Sequence, residues 1–218
     1  MLAADLINQE FFAESITPQQ LDLLLANGWR HFGTHFFRYN LGVHEFEIRA
    51  VIPLRIRLAD FCFSKSQRRI LRKNADLTTA LQPVRITPEK ELLFDRHKMR
   101  FKFGIPDTIY DFISLQSPCE TLEINACLND RIIAASFLDI GDNSVSSVYA
   151  MFEPAESARS LGIFTLLKEI EFALKHGKEF FYLGYCYDGE SFYDYKKRFS
   201  ATEMYDWQGN WKRFEPEP

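Results

Sequence analysis

Residues 121–185 read TLEINACLND RIIAASFLDI GDNSVSSVYA MFEPAESARS LGIFTLLKEI EFALKHGKEF FYLGY, and the fold is decided there. Thr121 to Leu128 and Arg131 to Ile140 flank Asn129-Asp130, the signature of a hairpin. Gly141-Asp142-Asn143 turns the chain into a third strand, Ser144 to Met151. Ser160 to His176 is a long, largely apolar helix of the kind that is buried. Gly177 closes it at the C′ position. Glu179 to Tyr185 reads as a buried strand. Downstream, Asp188-Gly189 turns into a short helix around Tyr193 to Phe199. Thr202 to Trp211 is strand, turn, strand, with Gln208-Gly209-Asn210 at the tip. Upstream, Thr17-Pro18 caps a short helix carrying Leu21, Leu24 and Leu25. Trp29 to Tyr39 and Phe46 to Leu58 read as two strands. Ser64 to Asn74 is a helix, with Ser64 and Gln67 at capping-box spacing. Pro88 to Arg100 and Pro106 to Ser114 read as helical.

The 218 residues suit one large domain or two small ones. At 46% hydrophobic and 26% charged, with 21 Phe, the chain has the composition of a packed globular protein rather than a disordered one. Its opening lacks the basic n-region and apolar run of a secretory leader, and no stretch is apolar enough for a membrane span. Cys62, Cys119, Cys127 and Cys186 are scattered, without CxxC or His at ligand spacing, so neither a disulfide framework nor a zinc module is expected. These features predict a cytoplasmic protein with reduced thiols.

Net charge is −4, but it is unevenly placed: Gly28 to Lys73 carries ten Arg or Lys against three acids. That asymmetry points to an anionic partner at one face. At about 100° per residue, Lys65, Arg68, Arg69, Arg72 and Lys73 share an arc of about 140°, with Ile70, Leu71 and Gln67 opposite. The helix therefore docks by its apolar side and offers five cations to phosphates. No acid on that face supplies i,i+4 pairs, as a solvated helix would.

Two further segments bear on chemistry. Arg159-Ser160-Leu161-Gly162-Ile163-Phe164 opens the long helix, where a small-residue turn lets backbone N–H groups reach a pyrophosphate. Phe164 stands where such a turn needs a small residue, which disfavours coenzyme A; Gly162 then serves close packing. Leu183-Gly184-Tyr185-Cys186-Tyr187-Asp188-Gly189, followed by Tyr193, Tyr195, Lys196, Lys197 and Arg198, gathers hydroxyls, a carboxylate and cations suited to an adenine, an amine or an ester. A Tyr-rich strand that only packs is the plainer alternative.

An antiparallel meander, a central helix, a strand and a further helix is the element order of the GNAT acyltransferase core. The implied class is α/β (α+β) with a mixed, largely antiparallel sheet. In that core the buried strand splays from its neighbour and opens a cleft. Residues 1–80 are assigned to an N-terminal region with the basic helix, and 81–218 to a GNAT-like catalytic region.

The motifs also resemble the aminoacyl-tRNA–protein transferases, the arginyltransferases and the bacterial aspartate/glutamate leucyltransferases. Gly28-Trp29-Arg30, Gly33 and Phe37-Arg38-Tyr39 resemble their GWR..G..FYR opening. Pro53-Leu54-Arg55 and Phe63-Ser64-Lys65-Ser66-Gln67-Arg68-Arg69 are similar to P.R…F..SRSQRR, the most specific match. Ser147-Val148-Tyr149, Arg159-Ser160-Leu161-Gly162 and Glu169-Ile170-Glu171-Phe172-Ala173 are similar to S.VY…RSLG…EIE.A. Leu183-Gly184-Tyr185, Gly189 and Tyr195-Lys196-x-Arg198-Phe199 are similar to LGY…G…..YK.RF. Leu93 to His97 echoes a Y.RH element. The order is kept from about Trp29 to Trp211.

The resemblance implies aminolysis of an aminoacyl-tRNA ester by the N-terminal α-amine of an acceptor protein, as in N-degron tagging. It implies that Lys65, Ser66, Gln67, Arg68, Arg69, Arg72 and Lys73 hold tRNA. Asp188, Tyr185 and Lys196 are the implied catalytic groups, with Asp188 the proton acceptor. Arg30, Arg55, Tyr187, Tyr195 and Arg198 are the implied substrate-binding residues. The family's N-terminal cysteine cluster falls between Tyr39 and Pro53, and this chain has no cysteine there. No iron–sulfur or zinc centre, and no other cofactor, is therefore expected. The family's S/C-x-K-M stretch is replaced by Glu190-Ser191-Phe192-Tyr193, which puts acceptor choice in question. An inactive tRNA- or protein-binding relative and an acyl-CoA N-acyltransferase are the alternative readings.

Overall fold

A computed structural model of the chain describes residues 6–102, 104–114 and 116–215. In chain order the elements are β1 (Asn8–Phe12), α1 (Pro18–Ala26), β2 (Arg30–Phe32), β3 (His35–Tyr39), β4 (Leu41–His44), β5 (Glu47–Arg57), α2 (Lys65–Lys73) and β6 (Thr78–Pro83). They continue with α3 (Pro88–Lys98), β7 (Thr121–Leu128), β8 (Arg131–Ile140), β9 (Ser144–Phe152), α4 (Leu161–Lys175), β10 (Phe180–Tyr187), β11 (Thr202–Tyr205) and β12 (Trp211–Arg213). Short 3-10 turns cover Ile109–Asp111 and Phe192–Arg198.

The large sheet runs β12-β11-β5-β10-β9-β8-β7-β6, with β4 also paired to β5, while β1-β3-β2 form a separate small sheet. All pairings are antiparallel except β9 with β10. The crossover helix α4 makes that parallel pair possible. The α/β class and the GNAT-like core of meander, helix and strand are present. The strand β5, from the first eighty residues, lies inside the large sheet between β10 and β11.

Neighbouring residues on a strand face opposite sides of a sheet. On one side Leu54, Ile56, Leu138 and Phe181 pack under Leu167, Ile170 and Ala173 of α4. On the other, Ala135, Phe137 and Met151 meet Leu93 and Phe94 of α3. Tyr182 meets Leu21 and Leu25 of α1. Both capping boxes, Thr17–Gln20 and Ser64–Gln67, are formed. Among the described residues, no helix is long and apolar enough to cross a membrane.

Two sequence expectations need correction, and three edge strands had none. Trp29 to Tyr39 is not one strand but the hairpin β2–β3, because Gly33 takes a φ of +53° and turns the chain. Pro106 to Ser114 holds only the turn at Ile109–Asp111. The edge elements β1, β4 and β6 gave no periodic signal; every residue of β6 is exposed, so no apolar alternation marks it.

Candidate active site

The two parallel strands hydrogen-bond only where Phe180–Tyr182 faces Ser144–Ser146. Beyond that they part. The fork opens a cavity of about 660 Å³, lined by Ser147 to Ala150 of β9 and by Leu183, Gly184, Tyr185 and Tyr187 of β10. Ser160, Gly162, Ile163, Leu166 and Glu169 at the start of α4 form another wall. Arg30, Phe32, Phe37 and Tyr39 come from the small sheet, His97 and Arg100 from the end of α3 and just beyond. Phe192, Tyr193, Tyr195 and Lys196 line it as well. A cavity of this size, rich in aromatic side chains with charged and hydroxyl groups among them, suits a small ligand or the end of a large one.

The glycine at the fork sets the geometry. Gly184 follows a register shift between β10 and β5 and has a φ of +85°. A Cβ there would stand 3.3 Å from Lys196 Nζ and 3.6 Å from Arg30 Cζ, so a side chain would crowd the lysine, and the positive φ itself favours glycine. Arg30 donates to Ser146 Oγ at 2.5 Å and to the Ser147 carbonyl, both on β9. Its guanidinium thus props the fork from within. Lys196 Nζ donates to the Tyr185 carbonyl at 2.9 Å. Burial, reinforced by Arg30, pushes the Lys196 pKa down to about 7. Arg30 has no ion-pair partner among the described residues.

Three lining residues carry polar groups that sequence reasoning did not assign to the site. Glu169 is fully buried on α4, and burial pushes its carboxyl up to about 8. The hydroxyl of Tyr149 is buried without a hydrogen-bond partner among the described residues, while its ring stacks on Phe112 at 4.1 Å. The Phe152 N–H donates to His97 Nδ1 at 3.1 Å, and burial pushes His97 down to about 4. A carboxylate in the middle of a buried apolar helix was the available signal for Glu169.

The expected residues divide. Arg30, Tyr185, Tyr187, Tyr195 and Lys196 all line the cavity. The Tyr185 hydroxyl donates to the Gly28 carbonyl at 2.6 Å, and burial raises its pKa further. Tyr187 stacks on His44. Asp188 lies past the end of β10, exposed and outside the lining. Arg198 is likewise exposed. Arg55 sits in the cluster under α1: it donates to Glu203 at 2.7 Å and stacks over Phe180 and Trp211 at 3.7 and 4.3 Å. These three therefore do not meet the cavity: β10 ends before Asp188, Arg198 faces solvent, and Arg55 stands opposite Tyr182 on the closed side of the fork. Cys186 is 1% exposed and burial pushes its thiol up to about 11, the state of a packing residue.

The basic helix keeps its free face. Lys65, Ser66, Arg68, Arg69, Arg72 and Lys73 are exposed, Gln67 is buried, and Ile70 and Leu71 pack inward. None of its five cations is in an ion pair among the described residues. Lys73 donates to the Ala158 carbonyl at 2.5 Å, and Asn74 to the Arg159 carbonyl at 3.0 Å. Those carbonyls immediately precede Ser160 on the cavity wall, so the cationic face adjoins the rim. Arg159 itself pairs with Asp76 and Glu156. Phe164 is buried in the core, and Gly162 packs so close to Phe152 that a Cβ would stand 3.2 Å from its ring.

One group of metal-ligating side chains converges among the described residues: His31, Cys119 and Asp139, with ligand atoms within 4.8 Å of one another. It already forms an ion pair, His31 Nε2 to Asp139 Oδ2 at 3.0 Å. Burial opposes charge on His31, but Asp139 outweighs it and raises the imidazole pKa.

Comparison with known proteins agrees with the motifs. The family model described as Arginine-tRNA-protein transferase, C terminus, matches residues 89–206. An Aspartate/glutamate leucyltransferase of Xanthomonas euvesicatoria pv. vesicatoria is 36% identical over 176 residues, covering 74% of this chain and 70% of the relative. One of Leptospira interrogans serovar copenhageni is 28% identical over 202 residues, covering 88% and 77%. Among solved structures, FemX shares the fold at a TM-score of 0.54 and 11% identity, over 90% of this chain and 69% of that one. The chain belongs to the aminoacyl-tRNA–protein transferase family and is an aminoacyltransferase.

Proposed function

We propose that this protein passes an amino acid from the 3′ end of a tRNA to the N-terminal α-amine of a protein that begins with an acidic residue. The observation that carries this reading is the meeting of Arg30 and Lys196 at Gly184, inside an aromatic cavity at the strand fork. Arg30 is a cation without a carboxylate partner and fits the acidic side chain of the acceptor. Lys196, with its pKa near 7, is poised to take a proton from the attacking amine. The amine nitrogen bonds to the ester carbonyl carbon, and the bond from that carbon to the ribose oxygen breaks. The proton passes through Lys196 to the leaving oxygen. Because the ester is already activated, the protein's task is to position both substrates and manage charge, with no cofactor in the step. The apolar walls fit an apolar donor side chain, in keeping with relatives named leucyltransferases. The exposed face of α2 grips the tRNA phosphates beside the rim.

The test is single-turnover transfer from labelled leucyl- and arginyl-tRNA to peptides starting with Asp, Glu, Asn or Ala. Label on the Asp and Glu peptides is expected, falling by ~10-fold or more toward Asn. Binding of charged tRNA without any label would establish an inactive binder instead. Thermal stabilisation by acetyl-CoA would point to an acyl-CoA enzyme, a reading that buried Phe164 disfavours.

A further inference from the structure

We propose that Glu169 holds the α-amino group of the donated aminoacyl ester, and that the enzyme therefore demands a donor whose α-amine is free. The inference rests on the transferase reading above and names a substrate requirement within it.

Glu169 is 0% exposed and lines the cavity from α4. Neither of its carboxyl oxygens has a hydrogen-bond partner among the described residues, and neither does Ser136 Oγ. The Ser136 and Ser147 hydroxyls lie beside it and pull against the effect of burial, without completing a well-formed hydrogen bond. Buried polar groups are almost always paired, so one left open toward a cavity calls for an occupant. Its own helix does not account for it: the buried Leu166, Leu167, Ile170 and Ala173 are apolar, and the buried Thr165 hydroxyl donates to the Gly162 carbonyl. Arg30 attracts it across the site but forms no ion pair with it, donating instead to Ser146 and Ser147.

An amine answers the vacancy in charge as well as in hydrogen bonds. A carboxyl and an amine together share one proton, whether as acid and amine or as carboxylate and ammonium. The pair adds no net charge to a cavity that already holds Arg30. The buried Tyr149 hydroxyl, also without a partner and also in the lining, offers a further acceptor for an amine N–H.

The donor's amine fits better than the acceptor's. Lys196 is partly exposed, whereas Glu169 is fully buried, and both line the cavity. With the reacting carbonyl held beside Lys196, the more buried Glu169 is left to the donor's own α-amine, one carbon from that carbonyl. The acceptor amine must stay unpaired to attack that carbonyl, and a carboxylate would hold it as unreactive ammonium. An N-acylated or peptidyl ester has no basic nitrogen to share the proton and brings extra bulk beside Glu169, so it is refused.

The experiment compares leucyl-tRNA with N-acetyl-leucyl-tRNA as donors to an Asp-initiated peptide, using the wild-type chain and Glu169→Gln. The wild type is expected to prefer the free-amine donor by at least about 30-fold in kcat/KM. Glu169→Gln is expected to lose most of that rate with the free donor and little with the acetylated one, so that the ratio falls toward one. Equal use of both donors by the wild type overturns the proposal. So does an equal loss on both donors in Glu169→Gln, which would place the residue on the acceptor or the proton transfer. A second measurement does not depend on turnover or on the variant folding. Wild-type binding of a non-hydrolysable 3′-leucylamido-adenosine is compared with binding of its N-acetyl form, and equal affinities also overturn it. No transfer from any donor would count against the transferase reading itself, while the binding comparison still decides the role of the amine.

Discussion

In water a lysine at pH 8 keeps its proton; Lys196, held near 7 by burial and Arg30, has mostly released it. The transfer rate is therefore expected to rise between about pH 6 and 8 and then level off. Lys196→Arg, always protonated, should flatten that rise and lower single-turnover transfer by ~10²-fold or more. His97 gives a second pH signature, this time in stability. Its folded pKa of about 4 lies below the ordinary 6.5, so the unfolded chain takes up the proton first. Its contribution is complete above about pH 6.5 and is lost as pH falls through 4. The full effect is on the order of 3 kcal/mol. Urea denaturation across that range should show the decline, and His97→Gln should make it shallower. Arg30 and Lys196 were legible because each sits in a short run of distinctive neighbours, Gly28-Trp29-Arg30 and Tyr195-Lys196. Glu169 was quoted within a motif but not read as a cavity group, since nothing local tells a buried acid facing a void from one facing a partner. Asp188 misled through its neighbours: it follows the tyrosines in sequence, but the strand carries it past the cavity.

At the scale of elements, the fork depends on the bulge at Gly184. Gly184→Ala must hold a positive φ and crowd the Lys196 ammonium. It is expected to lower stability by about 1–2 kcal/mol and to reduce transfer more than an alanine elsewhere on β10, as thermal melts beside the transfer assay would show. The helix α2 is a separable device. Arg68→Glu with Arg69→Glu should leave the melting temperature nearly unchanged, weaken tRNA binding and reduce the salt slope by about two. An unchanged slope would remove the helix from tRNA recognition. Both α2 and α4 were readable because caps and a continuous apolar or cationic face mark them. The hairpin β2–β3 was blurred because two short strands of aromatic residues look like one long one. The edge strands had no buried face to write a pattern into the sequence.

At the scale of the whole molecule, β5 ties the first quarter of the chain to the last. Its residues pair with β10, Arg57 opposite Phe180, and with β11, Ile56 opposite Thr202. A fragment beginning at residue 81 would leave β10 and β11 with open edges, and such edges associate. That fragment is expected to be insoluble, or to lack a cooperative melt in circular dichroism, whereas supplying residues 1–80 in trans should recover part of the signal if the two pieces pair as in the intact chain. The same placement has a consequence in time. During synthesis β5 leaves the ribosome able to pair only with β4, and its Val51–Arg57 stretch must wait for β10 and β11 until well over a hundred further residues have followed. Pairings so distant along the chain are slow to close. Arg30, near the front of the chain, meets Gly184 and Lys196 only after that closure. A half-made chain thus carries its basic helix but no assembled cavity, and the power to transfer arrives last.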